Sequence, residues 1–243
     1  MLKAASTEEQ AERDMTKVLG VSFVALAAAF AMLGPTSNVD AEDALPIIVT
    51  LGDSYINSYG VAPTETFAAR LKSALAAAGR PATIVELGYK ATSRTGLTWL
   101  AETKDGLELQ ANPANHAVIL ELGQNDCARI KLDETRANLD HILALLAEKR
   151  VPVLVVGTAA YDYCSSALYA GHGADYAGPF SRMFSELATK HGDLLYPDFK
   201  EGVTGHPELL QADRDHPNAA GDAIIVTNML PVVQTLLARI GHP

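Results

Sequence analysis

Cysteine is scarce: the 243 residues include two, Cys127 and Cys164. Two cysteines so far apart do not make a zinc site, whose ligands come in closely spaced pairs. Histidine supplies no metal constellation either, because His116, His141, His172, His191 and His242 are scattered without ligand spacing. Positive charge is also in short supply. Lys and Arg number 19 against 29 Asp and Glu, for a net charge of −10, and no Lys/Arg cluster occurs anywhere. That argues against nucleic acid as a partner, since binding there rests on phosphate neutralisation. Residues 42–243 contain no internal repeat, low-complexity tract or linker. They read as one domain, long enough for a sizeable core.

One long uncharged apolar run stands near the N-terminus, at residues 18–33, preceded by Met15 and Lys17. Gly34-Pro35 and then Val39-Asp40-Ala41 follow, which suits cleavage after Ala41. The pattern is that of a secretory signal peptide with its start at Met15, so residues 1–41 read as an N-terminal extension and signal. An uncleaved anchor is the alternative, since the run is long for a signal core and short for a membrane span. Either way the rest of the chain is expected to be periplasmic or secreted. In oxidising surroundings Cys127 and Cys164 are candidates for a disulfide, because each follows a strand at the same end of a sheet. Spacing alone does not fix the Cα separation such a bond needs.

Beyond residue 45, strand-like and helix-like stretches alternate, the signature of an α/β parallel sheet. Residues 46–51, 117–122 and 151–157 are near-continuous apolar runs, as strands buried on both faces require. Strands are also expected at 82–87 and 194–196. Helices are expected at about 65–78, from 95, and at 133–149, 180–191 and 219–240. Residues 158–179, rich in Tyr, Gly, Ser and Ala, are too long for an ordinary connection. They read either as a lid or as a loop of no consequence. Tyr161, Tyr163 and Tyr169 within that stretch either line a pocket or cover core.

Chemistry enters at the ends of these strands. Gly52-Asp53-Ser54-Tyr55 follows the first, where open α/β sheets place their ligand crevice. Asp53 and Ser54 fit a helix cap. They also fit a nucleophile whose own N–H faces a developing oxyanion. Gly123-Gln124-Asn125-Asp126 follows the third strand, and Asp213-Arg214-Asp215-His216-Pro217-Asn218 lies near the C-terminus. A carboxylate three residues before a histidine can hold ring Nδ1 and leave Nε2 to take a serine proton. His206 lacks such an acid three positions before it.

These blocks together resemble the GDSL-type, or SGNH, hydrolases, and in particular the small periplasmic thioesterase, lysophospholipase and arylesterase branch. The resemblance implies a three-layer flavodoxin-like fold with a five-stranded parallel sheet in the order 2-1-3-4-5. It implies Ser54 as nucleophile, His216 as base and then acid, and Asp213 as its orienter. It implies Asn125 as a side-chain donor to the oxyanion beside the Ser54 N–H, with Asp53 and Asp126 holding loops. No cofactor or metal is required. The expected partner is a small acyl ester (an aryl ester, lysophospholipid or thioester), with room for transient contact with lipid. A carbohydrate O-acetylesterase and a catalytically weak binding module are the other readings.

Two departures from the family pattern stand out. Tyr55 replaces the usual leucine after the serine and is expected, with Tyr59, Lys90 and Tyr161, in the wall of the substrate pocket. The second block reads Gly88-Tyr89-Lys90-Ala91-Thr92-Ser93 where the family has Gly-x-Ser-Gly-Asp-Thr. Alignment on Gly88 makes Ala91 the backbone donor to the oxyanion; alignment on Gly96-Leu97 makes it Lys90.

Overall fold

The computed structural model describes residues 45–127, 129–158 and 177–241. The expected signal segment, most of the long stretch after residue 158, Tyr161, Tyr163, Tyr169 and Cys164 lie outside the described residues. Cys127 is fully buried and is not a free thiol.

Five strands make one sheet: β1 (Ile47–Gly52), β2 (Thr83–Leu87), β3 (His116–Glu121), β4 (Val153–Val156) and β5 (Leu194–Tyr196). They are ordered β2-β1-β3-β4-β5, and every pairing is parallel. The expected order is therefore the observed one. Among the described residues six α-helices connect and flank the strands: α1 (Phe67–Ala77), α2 (Ser93–Glu102), α3 (Lys104–Ala111), α4 (Leu132–Glu148), α5 (Ala177–His191) and α6 (Ala219–Ala238).

Because side chains alternate across a strand, each central strand feeds two cores. Val49, Leu51, Val118, Leu120, Val153 and Val155 face one way, onto Leu100 of α2, Leu109 of α3, Leu139 and Leu143 of α4, and Phe180 and Phe184 of α5. Ile48, Ala117, Ile119, Leu154 and Val156 face the other way, onto Phe67, Leu71 and Leu75 of α1 and Ile225, Met229 and Val233 of α6. This double burial is why those strands read as unbroken apolar runs. It also explains α6, which is long and apolar enough to cross a membrane by length and composition. Its apolar side chains Ile225, Met229, Val233 and Leu236 are fully buried against the sheet.

Helix α3 was not anticipated, since Leu107 and Leu109 alone give too short an apolar period to announce it. Its start is set by Thr103, whose hydroxyl accepts from the Gly106 N–H at 3.1 Å. Helix α2 begins at Ser93 because Thr92 and Thr95 form a capping box.

The carboxyl ends of β1 and β2 are drawn together at Gly88. Its φ is +105°, and an added Cβ would stand 2.5 Å from the Gly52 carbonyl oxygen and 2.3 Å from the Trp99 ring. A side chain there meets both a left-handed backbone and a clash with main chain. Gly88→Ala should therefore destabilise the protein by about 3 kcal/mol, seen as a lowered melting temperature. An unchanged melting temperature would show that the two strand ends are not closely apposed.

Candidate active site

Ser54 follows β1 directly. The chain then turns tightly rather than entering a regular helix, with the Tyr59 N–H donating to the Ser54 carbonyl at 3.0 Å. Asp53 builds this turn: its Oδ1 accepts the Tyr55 N–H at 2.9 Å. Asn57 ties the turn to the neighbouring loop by donating to the carbonyls of Asp53 at 2.7 Å and Gly88 at 2.6 Å. Ser54 itself is half-buried.

The histidine arrives from the loop before α6. That loop closes as a small antiparallel turn, with a bridge between Leu210 and Pro217 and the Gln211 N–H donating to the His216 carbonyl at 2.8 Å. Asn218 then caps α6, accepting from the N–H groups of Ala220 and Gly221. Within the turn, Asp213 Oδ1 accepts the N–H groups of Asp215 at 3.0 Å and His216 at 3.1 Å. Its Oδ2 lies 2.8 Å from His216 Nδ1. His216 Nε2 lies 2.9 Å from Ser54 Oγ. Partial burial would raise the Asp213 pKa, but the hydrogen bonds from Asp215 and His216 outweigh it and hold this carboxyl below its ordinary value. The three residues thus form a continuous relay in which a serine proton has an acceptor and the acceptor has an oriented anion.

Asn125 reaches the same crevice from the end of β3. Its Nδ2 donates to the Ala91 carbonyl at 3.0 Å and lies 3.3 Å from Asp53 Oδ2. The loop carrying Asn125 is held by Asp126, which accepts from the Ser93 N–H at 2.8 Å and from the Ser93 hydroxyl. Both aspartates thus hold loops, as the resemblance implied.

Residues 50–224 match the GDSL-like Lipase/Acylhydrolase family. The chain belongs to that family. Esterase TesA from Pseudomonas aeruginosa is 30% identical over 195 residues, covering 78% of this chain and 89% of that protein. A crystal structure of TesA superposes with a TM-score of 0.67 at 26% identity, covering 78% of this chain and 99% of the other. AlinE4, an SGNH-hydrolase family esterase, superposes with a TM-score of 0.61 at 31% identity, covering 79% and 96%. The chain is accordingly a serine hydrolase acting on ester bonds.

Against the GDSL pattern, one expected position is corrected. Tyr55 does not wall a pocket: it is 2% exposed. Its ring stacks on Phe199 with centroids 6.0 Å apart, and its hydroxyl donates to Asp215. The residue after the serine points beneath the site, not into it. In the second block, the left-handed backbone that a glycine would ordinarily take falls on Lys90, at φ +53°, and not on Ala91. Ala91 is buried, with its carbonyl turned to Asn125. Of the other expected pocket residues, Tyr59 and Lys90 lie together near His216 and Tyr161 lies outside the described residues. Tyr59 and Tyr89 are exposed, and the Tyr59 ring centroid is 5.3 Å from that of His216. Lys90 Nζ stands 4.8 Å from the Tyr59 centroid and 5.2 Å from that of Tyr89.

Two residues near the site went unassigned in the sequence. Lys200 is a buried cation after β5, and nothing in its neighbourhood in the chain marks it. Glu121 did carry a signal, as an acid closing an otherwise apolar strand. It is fully buried, and its Oε2 accepts from the Asp53 N–H at 3.3 Å. Burial pushes Asp53 up to about 6, offset in part by hydrogen bonds from the Tyr55 N–H and from Glu121. Burial and the charge of Asp53 push Glu121 well above the ordinary carboxyl range. Glu121 is thus driven toward its protonated form beside Asp53, beneath Ser54.

The sign of the resulting pH dependence follows from folded-state pKa values raised above the unfolded ones. Stability from this pair is fully present below the ordinary carboxyl pKa and is lost as pH rises through about 6. Glu121→Gln keeps a donor toward Asp53 but does not ionise. The variant should lose less stability than the native chain between pH 4 and pH 7, by on the order of 2 kcal/mol in urea titrations. Parallel stability profiles for the two proteins would contradict a raised Glu121 pKa.

Proposed function

We propose that this protein is an exported esterase that cleaves small acyl esters, aryl esters, lysophospholipids or thioesters, through an acyl-enzyme on Ser54. One observation carries the reading: Ser54 Oγ, His216 Nε2, His216 Nδ1 and Asp213 Oδ2 lie in sequence at 2.9 and 2.8 Å. His216 takes the Ser54 proton as the oxygen attacks the acyl carbonyl, and Asp213 stabilises the imidazolium that forms. The resulting tetrahedral oxyanion is met by the Ser54 N–H, by the Asn125 amide and by a backbone N–H of the second block. The left-handed turn at Lys90 supports Lys90 as that third donor, because it places a lysine in the conformation for which the family uses glycine. Collapse breaks the ester bond, and His216 returns its proton to the leaving oxygen or sulfur. Water then attacks the acyl-serine by the same route in reverse, giving its proton to His216 and releasing the acid.

The exposed mouth beside His216, with Tyr59, Tyr89 and Lys90, suits a leaving group with a flat or anionic face. The charged start, apolar run and small residues before position 42 support export, with cleavage after Ala41 and a hydrolase domain from residue 42.

Ser54→Ala should lower turnover of p-nitrophenyl acetate and butyrate at least about 10³-fold with an unchanged far-ultraviolet spectrum. Retained turnover in that variant would refute the assignment. Asn125→Ala should lower kcat about 10²-fold or more. A series of acyl lengths, run beside an acetylated sugar, separates a general esterase from a carbohydrate deacetylase.

A further inference from the structure

Beneath the catalytic histidine lies a polar cluster that the reaction itself does not use. Tyr55, the residue after the nucleophile, donates its hydroxyl to Asp215 Oδ1 at 2.5 Å. Asp215 is the residue before the catalytic histidine. Lys200, after β5, donates from Nζ to the Tyr55 hydroxyl at 3.1 Å and to the carbonyl and Oδ1 of Asp215, each at 3.3 Å. The same ammonium stands 4.6 Å from the Tyr55 ring centroid. Lys200 and Tyr55 are 6% and 2% exposed. Burying a lysine is costly unless it is paired and hydrogen-bonded, and here the charge is matched by Asp215. Burial and the neighbouring Asp215 charge push the Tyr55 phenol above its ordinary value, so it stays a donor.

We propose that Tyr55, Asp215 and Lys200 form a brace that fixes the separation of Ser54 and His216. Tyr55 is covalently next to Ser54, Asp215 is covalently next to His216, and Lys200 clamps the contact between them. The Asp215 N–H also donates to Asp213 Oδ1, so the brace reaches the orienting carboxylate. The loop it holds needs holding, because Arg214 within it has φ +61°, a conformation that non-glycine residues rarely adopt. The Tyr55 ring meets the His216 ring edge-on with centroids 5.4 Å apart, which limits tilt of the imidazole. A leucine at position 55 offers no hydroxyl to Asp215, so this brace is a property of this chain's Gly52-Asp53-Ser54-Tyr55 stretch. Tyr55, Asp215 and Lys200 are positioning residues, since none touches the reacting atoms.

The inference rests on the esterase reading for its kinetic consequence but not for its structural one. The full chain and its Tyr55→Phe variant, which keeps the buried ring and deletes only the hydroxyl, are compared in two measurements. In the first, kcat with p-nitrophenyl acetate should fall about tenfold with KM within twofold of native, as loss of alignment rather than of binding requires. In the second, the His216 Nδ1 proton, held by Asp213, should give a sharp downfield NMR resonance in the native protein and a broadened one in the variant. The groups facing that imidazole are Asp213, Ser54, Tyr55, Tyr59, Asp53 and Asp215, and the substitution alters only the links from the Tyr55 hydroxyl to Asp215 and Lys200. Asp215→Asn should reproduce both effects, and the double variant should add little to either. If native protein turns over no ester, the esterase reading fails and the resonance alone decides the brace. An unchanged resonance in Tyr55→Phe, or native kcat in that variant of an active enzyme, would overturn it.

Discussion

The contact between Ser54 and His216 joins residues 162 apart in the chain, and the rest of the structure serves to make it. A serine hydroxyl is a weak nucleophile without a positioned base. The sheet supplies the position. Parallel strands place all their carboxyl ends on one edge, so the turn after β1, the Asn125 loop after β3 and the loop before α6 meet there without any long excursion. The two cores lock that edge from both sides, one through Val49, Val118 and Val155, the other through Ile48, Ile119 and Leu154. Rigidity at the base of the strands becomes precision at their tips.

Electrostatics around the site follow from how each charge is partnered. Asp213 stays a carboxylate because N–H groups and the imidazole surround it. Asp53 and Glu121, sealed from water, do the opposite: burial raises both, and Glu121 furthest. That keeps a second full negative charge from building up under the nucleophile, where it would oppose an oxyanion. Lys200 and Asp215 are a third arrangement, an ion pair whose cation is buried. The acids around the site are thus held by three different arrangements: a hydrogen-bonded carboxylate, a buried acid pair and an ion pair.

Much of this was readable in the chain. The parallel sheet and the meeting of Ser54, Asn125, Asp213 and His216 follow from unbroken apolar runs, from their alternation with helices and from short local patterns, while the strand order came with the resemblance to the GDSL family. Asp213 orients His216 because three residues of turn suffice, and sequence spacing measures that. What failed to show has a common cause. The direction of Tyr55 depends on whether the turn after β1 rolls inward, and a single residue beside a nucleophile carries no sign of it. Lys200 is one lysine among surface lysines until Tyr55 and Asp215 are seen to enclose it. The second block offers two alignments because its six-residue loop lacks the family's second glycine. The left-handed backbone at Lys90 is a feature that spacing does not give. Helix α3 hid because its apolar period is too short.

The most direct test of the triad is covalent. One equivalent of a fluorophosphonate should add to the native protein, with the mass increase confined to the peptide that contains Ser54. The same reagent should leave His216→Ala essentially unmodified at that residue over the same interval. An adduct elsewhere, or equal labelling of Ser54 with and without His216, would contradict the claim that this histidine is what makes the serine reactive.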